Sequence, residues 1–206
     1  MSPSGGLNRL NGAKTPFLPP YAALRISDPP SRAVVARRRR ADPEALTRLV
    51  FTLRTYAPDD FETLYEIDQA CYAPAIAYSR RELRNYLRFP GAECVVATTK
   101  NGRKRTIAGF CITAHEDDWG YIVTIDVLEA YRRHGVGTLL LAEAERRLAA
   151  NGATEIGLDT AVNNVAGIGF WQRHGYRILG TRKDYYPGGL DAYAMAKKIG
   201  RGKSPA

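Results

Sequence analysis

The sequence has 206 residues, enough for one domain of the usual 100–150 residues or so with some chain left over. Its composition, 45% hydrophobic and 25% charged, excludes collagen-like, coiled-coil and fully disordered classes. No apolar run approaches the roughly 18 residues of a membrane helix. The net charge of +9 is concentrated in residues 1–40, which carry +7, so the rest of the chain is nearly neutral and specific nucleic-acid binding is not expected.

The cysteines give no sign of a metal site or of a disulfide framework. Cys71, Cys94 and Cys111 are odd in number and widely spaced, and no zinc-type spacing of Cys or His occurs. We therefore expect no metal, three packed thiols, and a reducing, cytoplasmic location.

The first part of the chain differs in composition from the remainder. Residues 1–46 are rich in Pro, Ser, Gly and Arg and lack a hydrophobic period, which predicts a disordered basic tail. No apolar segment typical of a secretory signal occurs. The expected organisation is a tail over 1–46, one folded domain over 47–200 and a short tail over 201–206.

The domain alternates strand and helix patterns in chain order. Ser79 and the Pro58 turn begin the first two helices, and Val136, Leu140 and Ala144 mark the buried face of a later one. The predicted order is β-α-α-β-β-β-α-β-α-β-β. The strands are predicted at 50–54, 94–98, 106–114, 119–127, 155–159, 177–183 and 192–197, with later helices at 135–150 and 164–173.

A glycine-containing loop follows the strand that ends at Val127. Its N–H groups lie at the positive end of a helix dipole, which is typical of a pyrophosphate-binding site. The loop is not a Walker A motif, because no lysine precedes Thr138, nor a dinucleotide fingerprint, because position 140 is Leu. The residues expected to bind phosphate are Arg132, Arg133, Gly135, Val136, Gly137 and Thr138.

Three blocks of sequence together resemble a known enzyme family. Residues 125–138 resemble the acyl-CoA pyrophosphate loop of the GNAT N-acetyltransferases, and residues 158–176 resemble their second acyl-CoA segment. Residues 183–195 are similar to the protein N-terminal acetyltransferases, especially the ribosomal-protein alanine type. The resemblance covers about residues 49–199. It implies the α/β (α+β) GNAT fold, with a mixed, mostly antiparallel sheet of about seven strands and helices on both faces.

The same resemblance implies acetyl-CoA as co-substrate. Ile125 and Val127 would offer main-chain groups to the pantetheine, and Asn164 would contact the co-substrate from the second segment. Two aromatic loops would flank the entrance of a peptide substrate. Their residues are Tyr72, Pro74, Ile76 and Tyr78 in one loop and Tyr185 and Tyr186 in the other.

The chemistry of amine acetylation indicates how much base is needed. A terminal α-amine has a pKa of about 7.7–8.0, so roughly a tenth is neutral at pH 7, whereas less than about one lysine in a thousand is. A modest base acting through water is sufficient for an α-amine. The resemblance implies Asp159 and Tyr121 as the catalytic pair, and Trp171 stands where bacterial members have an acid-donating tyrosine.

Other functions remain open at this point. The enzyme could acetylate small-molecule amines or lysine side chains, although the tyrosine loops favour a peptide. In a different class, the chain could be a non-catalytic CoA-binding module or could associate with nucleic acid non-specifically through Arg37–Arg40. The leading hypothesis is a monomeric cytoplasmic enzyme without membrane contact. Its partner would be a protein or peptide N-terminus, with a ribosomal protein as one candidate.

Overall fold

The computed structural model describes residues 49–101 and 104–200. Seven strands and four α-helices follow one another in the predicted order. The strands are β1 (Phe51–Thr55), β2 (Glu93–Asn101), β3 (Lys104–Glu116), β4 (Trp119–Val127), β5 (Glu155–Ala161), β6 (Arg177–Tyr186) and β7 (Leu190–Lys198). The helices are α1 (Phe61–Cys71), α2 (Arg80–Arg88), α3 (Val136–Ala150) and α4 (Val165–Arg173). The predicted tails, 1–46 and 201–206, and residues 102–103 of a predicted turn lie outside the described residues.

The strands form one mixed sheet in the order β1-β2-β3-β4-β5-β7-β6. All its neighbouring strands are antiparallel except β4 and β5, which are parallel. A parallel connection requires a crossover, and α3 provides it between these two strands. The prediction of a mixed, mostly antiparallel sheet is therefore confirmed.

Helices cover both faces of the sheet, as predicted. On one face, Leu140, Leu141 and Leu148 of α3 pack with Ile156 and Leu158 of β5 in one hydrophobic core. On the other face, α1 and α2 cover a second core. Its buried residues are Phe61, Leu64, Ile67, Leu83, Cys94, Val96, Phe110 and Ile112.

The parallel pair diverges after a short contact. Register between β4 and β5 extends only from Trp119 opposite Glu155 to Tyr121 opposite Gly157. A bulge opposite Ile112 and Thr113 of β3 adds Val123 to β4 immediately beyond this point. Since bulges bend a strand, β4 turns away from β5 and leaves a gap in the middle of the sheet.

Several predicted boundaries were wrong by a few residues, each for a local reason. Gly135 does not belong to α3, because its φ of 83° is left-handed and makes it the N-cap. β6 extends beyond the predicted Lys183 to Tyr186, which pairs with Leu190 across a turn of Pro187, Gly188 and Gly189. Tyr185 and Tyr186 therefore belong to the end of a strand rather than to a loop.

Candidate active site

The gap between β4 and β5 brings the two predicted catalytic residues together. Tyr121 lies opposite Gly157, and Asp159 follows Gly157 by two residues on the same face of the sheet. The Tyr121 hydroxyl donates a hydrogen bond to Asp159 Oδ2 at 2.9 Å. The structure thus joins two residues 38 positions apart at the point where the strands separate. Their catalytic role stays a prediction.

Arg182 completes this arrangement and was not predicted. Its Nε donates to Asp159 Oδ1 at 2.8 Å, so both carboxylate oxygens of Asp159 are engaged. The Asp159 side chain is only 1% exposed, whereas a quarter of Arg182 is accessible. Paired charges at such a depth are expected, because an isolated buried carboxylate would be costly.

Three further tyrosines lie within electrostatic range of Asp159. Burial, and secondarily the charge of Asp159, raise the pKa of the Tyr185 and Tyr186 phenols well above the usual value. Burial likewise raises the pKa of Tyr86 to about 12, with smaller contributions from Glu82 and Asp159. These phenols stay protonated at neutral pH. They can therefore donate hydrogen bonds without adding charge near Asp159.

The predicted substrate loop between α1 and α2 borders the same region. The Tyr78 hydroxyl donates to the carbonyl oxygen of Val123, the bulged residue of β4, at 3.3 Å. Tyr72 shares a hydrogen bond of 3.2 Å with Thr124 Oγ1. Pro74 is exposed and Ile76 is half-buried in the same segment. Two tyrosines thus fix this loop to β4 beside the gap.

The pKa of Tyr78 shows which residues lie near the segment between α1 and α2. The pKa of Tyr78 is raised well above its usual value, first by burial and then by Tyr86, Tyr72, Tyr185 and Tyr186. Tyr185 and Tyr186 themselves pack edge to face, with ring centroids 4.9 Å apart. The two segments therefore lie within electrostatic range of one another, and Tyr185 and Tyr186 belong to a strand rather than to a loop. Their role in binding a substrate stays a prediction.

The main chain of β4 is available along the gap. Leu128 donates its N–H to Ala108 of β3, so the groups of Val127 and, two residues earlier, Ile125 face the opposite edge. The Val127 carbonyl is already occupied, because it accepts from Arg132 Nε at 2.9 Å and from Cys71 Sγ at 3.5 Å. The Val127 N–H and the groups of Ile125 therefore remain the candidates for binding a pantetheine.

The predicted phosphate loop leads directly into α3. Gly135 and Thr138 are exposed at its N-terminal end, and Val136 is buried beneath it. A side chain on Gly135 would meet nothing within 4 Å, whereas one on Gly137 would contact the Phe170 ring at 3.4 Å. A side chain at position 137 would therefore lie in van der Waals contact with Phe170, where α3 meets α4. Position 135 favours glycine, because its φ of 83° lies in the left-handed region that other residues rarely adopt.

The two loop arginines differ in position. Arg132 folds back onto the strand end, where it bonds Val127 and approaches Cys71 Sγ at 3.8 Å. Arg133 is exposed, with a left-handed φ of 67°. Both side chains are exposed, but the Arg132 guanidinium is already hydrogen-bonded to the end of β4.

Asn164 has a clear local role in addition to the predicted co-substrate contact. Its Oδ1 accepts from the Gly167 N–H at 3.0 Å as the N-cap of α4, and its Nδ2 donates to Thr160 at 3.3 Å. Trp171 is buried on α4, edge-on to Phe170 and Tyr176. Its indole thus belongs to the core beneath α4.

A second buried carboxyl group lies beneath the α1–α2 loop. Asp126 is 1% exposed, and its Oδ1 accepts from Thr124 Oγ1 at 2.6 Å. Burial raises its pKa to about 7, and the nearby Asp68 adds to the rise, although the Thr124 hydrogen bond opposes it. Sequence reasoning missed Asp126 and Arg182. The run Thr124-Ile125-Asp126, polar where a strand faces helices, was the available signal for the first.

Two observations bear on other functions, and both concern only the residues that the structure describes. None of the helices there combines the length and apolarity needed to cross a membrane. In the same part of the chain, no three His, Cys, Asp or Glu side chains are grouped as metal ligands.

Comparison with curated proteins and solved structures identifies related N-acetyltransferases. An N-alpha-acetyltransferase of Saccharolobus solfataricus is 39% identical over 82 residues, which are 39% of this chain and 48% of the relative, so the chain spans about half of that protein. The Escherichia coli ribosomal protein bS18-alanine N-acetyltransferase is 27% identical over 154 residues, 72% of this chain and 97% of the relative. A crystal structure of that bacterial enzyme matches with a TM-score of 0.64 and 26% identity, over 76% of this chain and 99% of its own.

More distant structures share the fold. Arabidopsis thaliana NAA60, crystallised with acetyl-CoA, matches with a TM-score of 0.64 and 19% identity over 73% of this chain and 99% of its own. A model of the acetyltransferase (GNAT) family matches residues 61–176. Since this match includes more than half of the sequence, the chain belongs to the acetyltransferase (GNAT) family.

Proposed function

We propose that this chain transfers an acetyl group from acetyl-CoA to the α-amine of a protein or peptide N-terminus. The observation that carries the proposal is the Tyr121–Asp159 contact at the point where β4 and β5 separate, bordered by tyrosines of two convergent segments. The names of the bacterial and archaeal relatives, which refer to N-terminal acetylation, support the same substrate class.

The chain offers groups that suit acetyl-CoA. The open edge of β4 at Ile125 and Val127 can pair with an extended, amide-containing ligand as a strand would. Beyond it, the N-terminal end of α3 at Gly135 to Thr138, with Arg133 exposed nearby, suits a diphosphate. Acetyl-CoA supplies the acetyl thioester. The presence of acetyl-CoA in a structure of the same fold supports this choice.

Within such a site, the chain's residues would orient the amine and receive its proton. Both Asp159 oxygens are already engaged, so we infer that Asp159 and Tyr121 hold a water molecule that takes the proton from the amine. The amine nitrogen forms a bond to the acyl carbon as the carbon–sulfur bond breaks. The leaving sulfur takes a proton from water or remains a thiolate, at modest cost for a thiol of pKa near 8.5.

An acetylation assay with paired peptides tests the proposal. The peptides differ in their first residue, contain one internal lysine and are prepared with a free or a blocked N-terminus. We expect a single acetyl group on the α-amine of free peptides, located by fragmentation mass spectrometry, and none on blocked ones. Equal acetylation of blocked peptides at lysine would overturn the α-amine assignment. Binding of acetyl-CoA by calorimetry without transfer to any peptide would indicate the non-catalytic alternative.

The N-terminus of a ribosomal protein is one candidate substrate, because one relative is named for such a reaction. A panel that includes ribosomal-protein N-termini tests this finer proposal. We expect a higher kcat/KM for them than for unrelated peptides.

A further inference from the structure

Arg182 contacts the side chain at the centre of the proposed site and lies on β6, a different strand from the predicted catalytic residues Tyr121 and Asp159. Its guanidinium Nε is 2.8 Å from Asp159 Oδ1, and the other oxygen accepts from Tyr121. The carboxylate is 1% exposed and the arginine 25%. The ion pair is therefore shielded from solvent mainly on the Asp159 side.

The register of the sheet explains how Arg182 reaches this position. Asp159 pairs with Ala194 of β7, and Arg182 pairs with Ala192 of the same strand. Directly opposite residues share a face, so both side chains and the two alanines lie on one side of the sheet. Gly180, opposite Ala194, adds no side chain. The small residues leave the space that Arg182 crosses to contact Asp159.

The charges of these groups determine which form of an amine is favoured. Asp159 and Arg182 together are neutral, and the surrounding phenols Tyr86, Tyr185 and Tyr186 have raised pKa values and are neutral too. A carboxylate without Arg182 would stabilise a bound ammonium, since an opposite charge within about 4–6 Å shifts a pKa by about 1–3 units toward the charged form. An ammonium has no lone pair and cannot attack an acyl carbon.

We propose that Arg182 is a positioning residue that neutralises Asp159 and so makes the site select the neutral form of the substrate amine. This inference rests on the proposed function. Arg182 does not need to touch the substrate, because it acts on the charge and orientation of Asp159. The Asp159 carboxylate remains able to hold water, without holding the amine in its unreactive form.

The rate as a function of pH distinguishes this role from a structural one. In Arg182→Gln the uncompensated carboxylate would move the midpoint of kcat, which reports the bound amine, to higher pH by about 1 unit or more, so the loss of kcat, about tenfold at pH 7, would shrink toward pH 9.5. In Asp159→Asn the uncompensated arginine would move the midpoint to lower pH. Arg182→Lys keeps the charge and would restore most of the wild-type midpoint.

Matched controls complete the experiment. Arg177→Gln changes an exposed arginine on the same strand and is expected to leave the profile unchanged. Thermal unfolding of each variant verifies folding. If Arg182→Gln does not fold, the Asp159→Asn midpoint and the double variant Asp159→Asn with Arg182→Gln, expected near the wild-type midpoint, decide the question.

Two negative results have different meanings. An active wild-type enzyme with equal losses at every pH in Arg182→Gln, or an unmoved midpoint in Asp159→Asn, would overturn the role of Arg182. A wild-type enzyme that acetylates no free N-terminus would overturn the proposed function and this inference with it.

Discussion

The buried Asp126 carboxyl makes a quantitative prediction about the pH dependence of folding. Its pKa is raised from the ordinary 3.8 to about 7, chiefly by burial. Between these values the folded chain keeps the proton and the unfolded chain loses it. Stability is therefore lost as the pH rises from about 4 to 7, and the loss is complete above the folded pKa.

The size of the effect follows from the separation of the two pKa values. Each unit corresponds to about 1.4 kcal/mol, so a carboxyl titrating near 7 would cost the folded state roughly 4 kcal/mol at pH 8. About 3 kcal/mol of this cost would appear between pH 5 and pH 8. Asp126→Asn keeps the acceptor for Thr124 and cannot ionise, so the pH-dependent loss should disappear in this variant.

Urea unfolding from pH 5 to pH 8 measures the effect. We expect the free energy of unfolding of the wild type to fall by about 3 kcal/mol more than that of Asp126→Asn over this range. Asp59→Asn, which changes an exposed carboxyl, serves as the matched control and should retain the wild-type pH dependence. The reasoning is refuted if Asp126→Asn and the wild type lose stability in parallel.

The remaining predictions concern the site and its supports. Tyr121→Phe and Asp159→Asn should each lower kcat by roughly 10²–10⁴ with little change in acetyl-CoA affinity, and the double variant should lose less than the product of the two losses. Near-normal kcat from pH 6 to 9 in both variants would exclude a part for these residues in the proton transfer. Gly135→Val and Gly137→Val should weaken acetyl-CoA binding in calorimetry. Valine at 135 would be strained by the φ of 83°, and the Cβ of valine at 137 would lie 3.4 Å from the Phe170 ring. Unchanged affinity in both folded variants would contradict the phosphate site. Asn164→Ala should lower the free energy of unfolding by about 0.5–2 kcal/mol through loss of the α4 cap, and an unchanged denaturation midpoint would argue against that role.

The fold was predictable because local patterns and the family resemblance agreed. The predicted α3 face of Val136, Leu140, Ala144 and Leu148 is buried, and Ser79 caps α2 together with Glu82. Strand ends were less predictable. The extension of β6 to Tyr186 depends on pairing with Leu190 across a glycine turn, which propensity alone does not specify.

The candidate site was predictable only in part. The contact between Tyr121 and Asp159 follows once two strands are known to be neighbours, and the resemblance supplied that arrangement. The ion pair of Arg182 was not accessible from the sequence, because it depends on β7 lying between β5 and β6 and on the small side chains of that strand. Asp126 was missed for a different reason. Its burial depends on the helices that cover this face of β4, and only the structure shows that cover.

The brief parallel contact between β4 and β5 makes one sheet behave as two smaller ones. In the part of the chain that the structure describes, β4 and β5 share three residue pairs, whereas β5 and β7 share seven. The halves are therefore joined largely by side chains, and the hydrogen bond from Tyr121 to Asp159 is one of the links. A substitution of Tyr121 or Asp159 made to alter the chemistry would therefore also remove a contact between the two halves of the sheet. Conversely, an extended ligand that pairs with the free edge of β4 would fill the gap and add contacts between the two halves of the sheet.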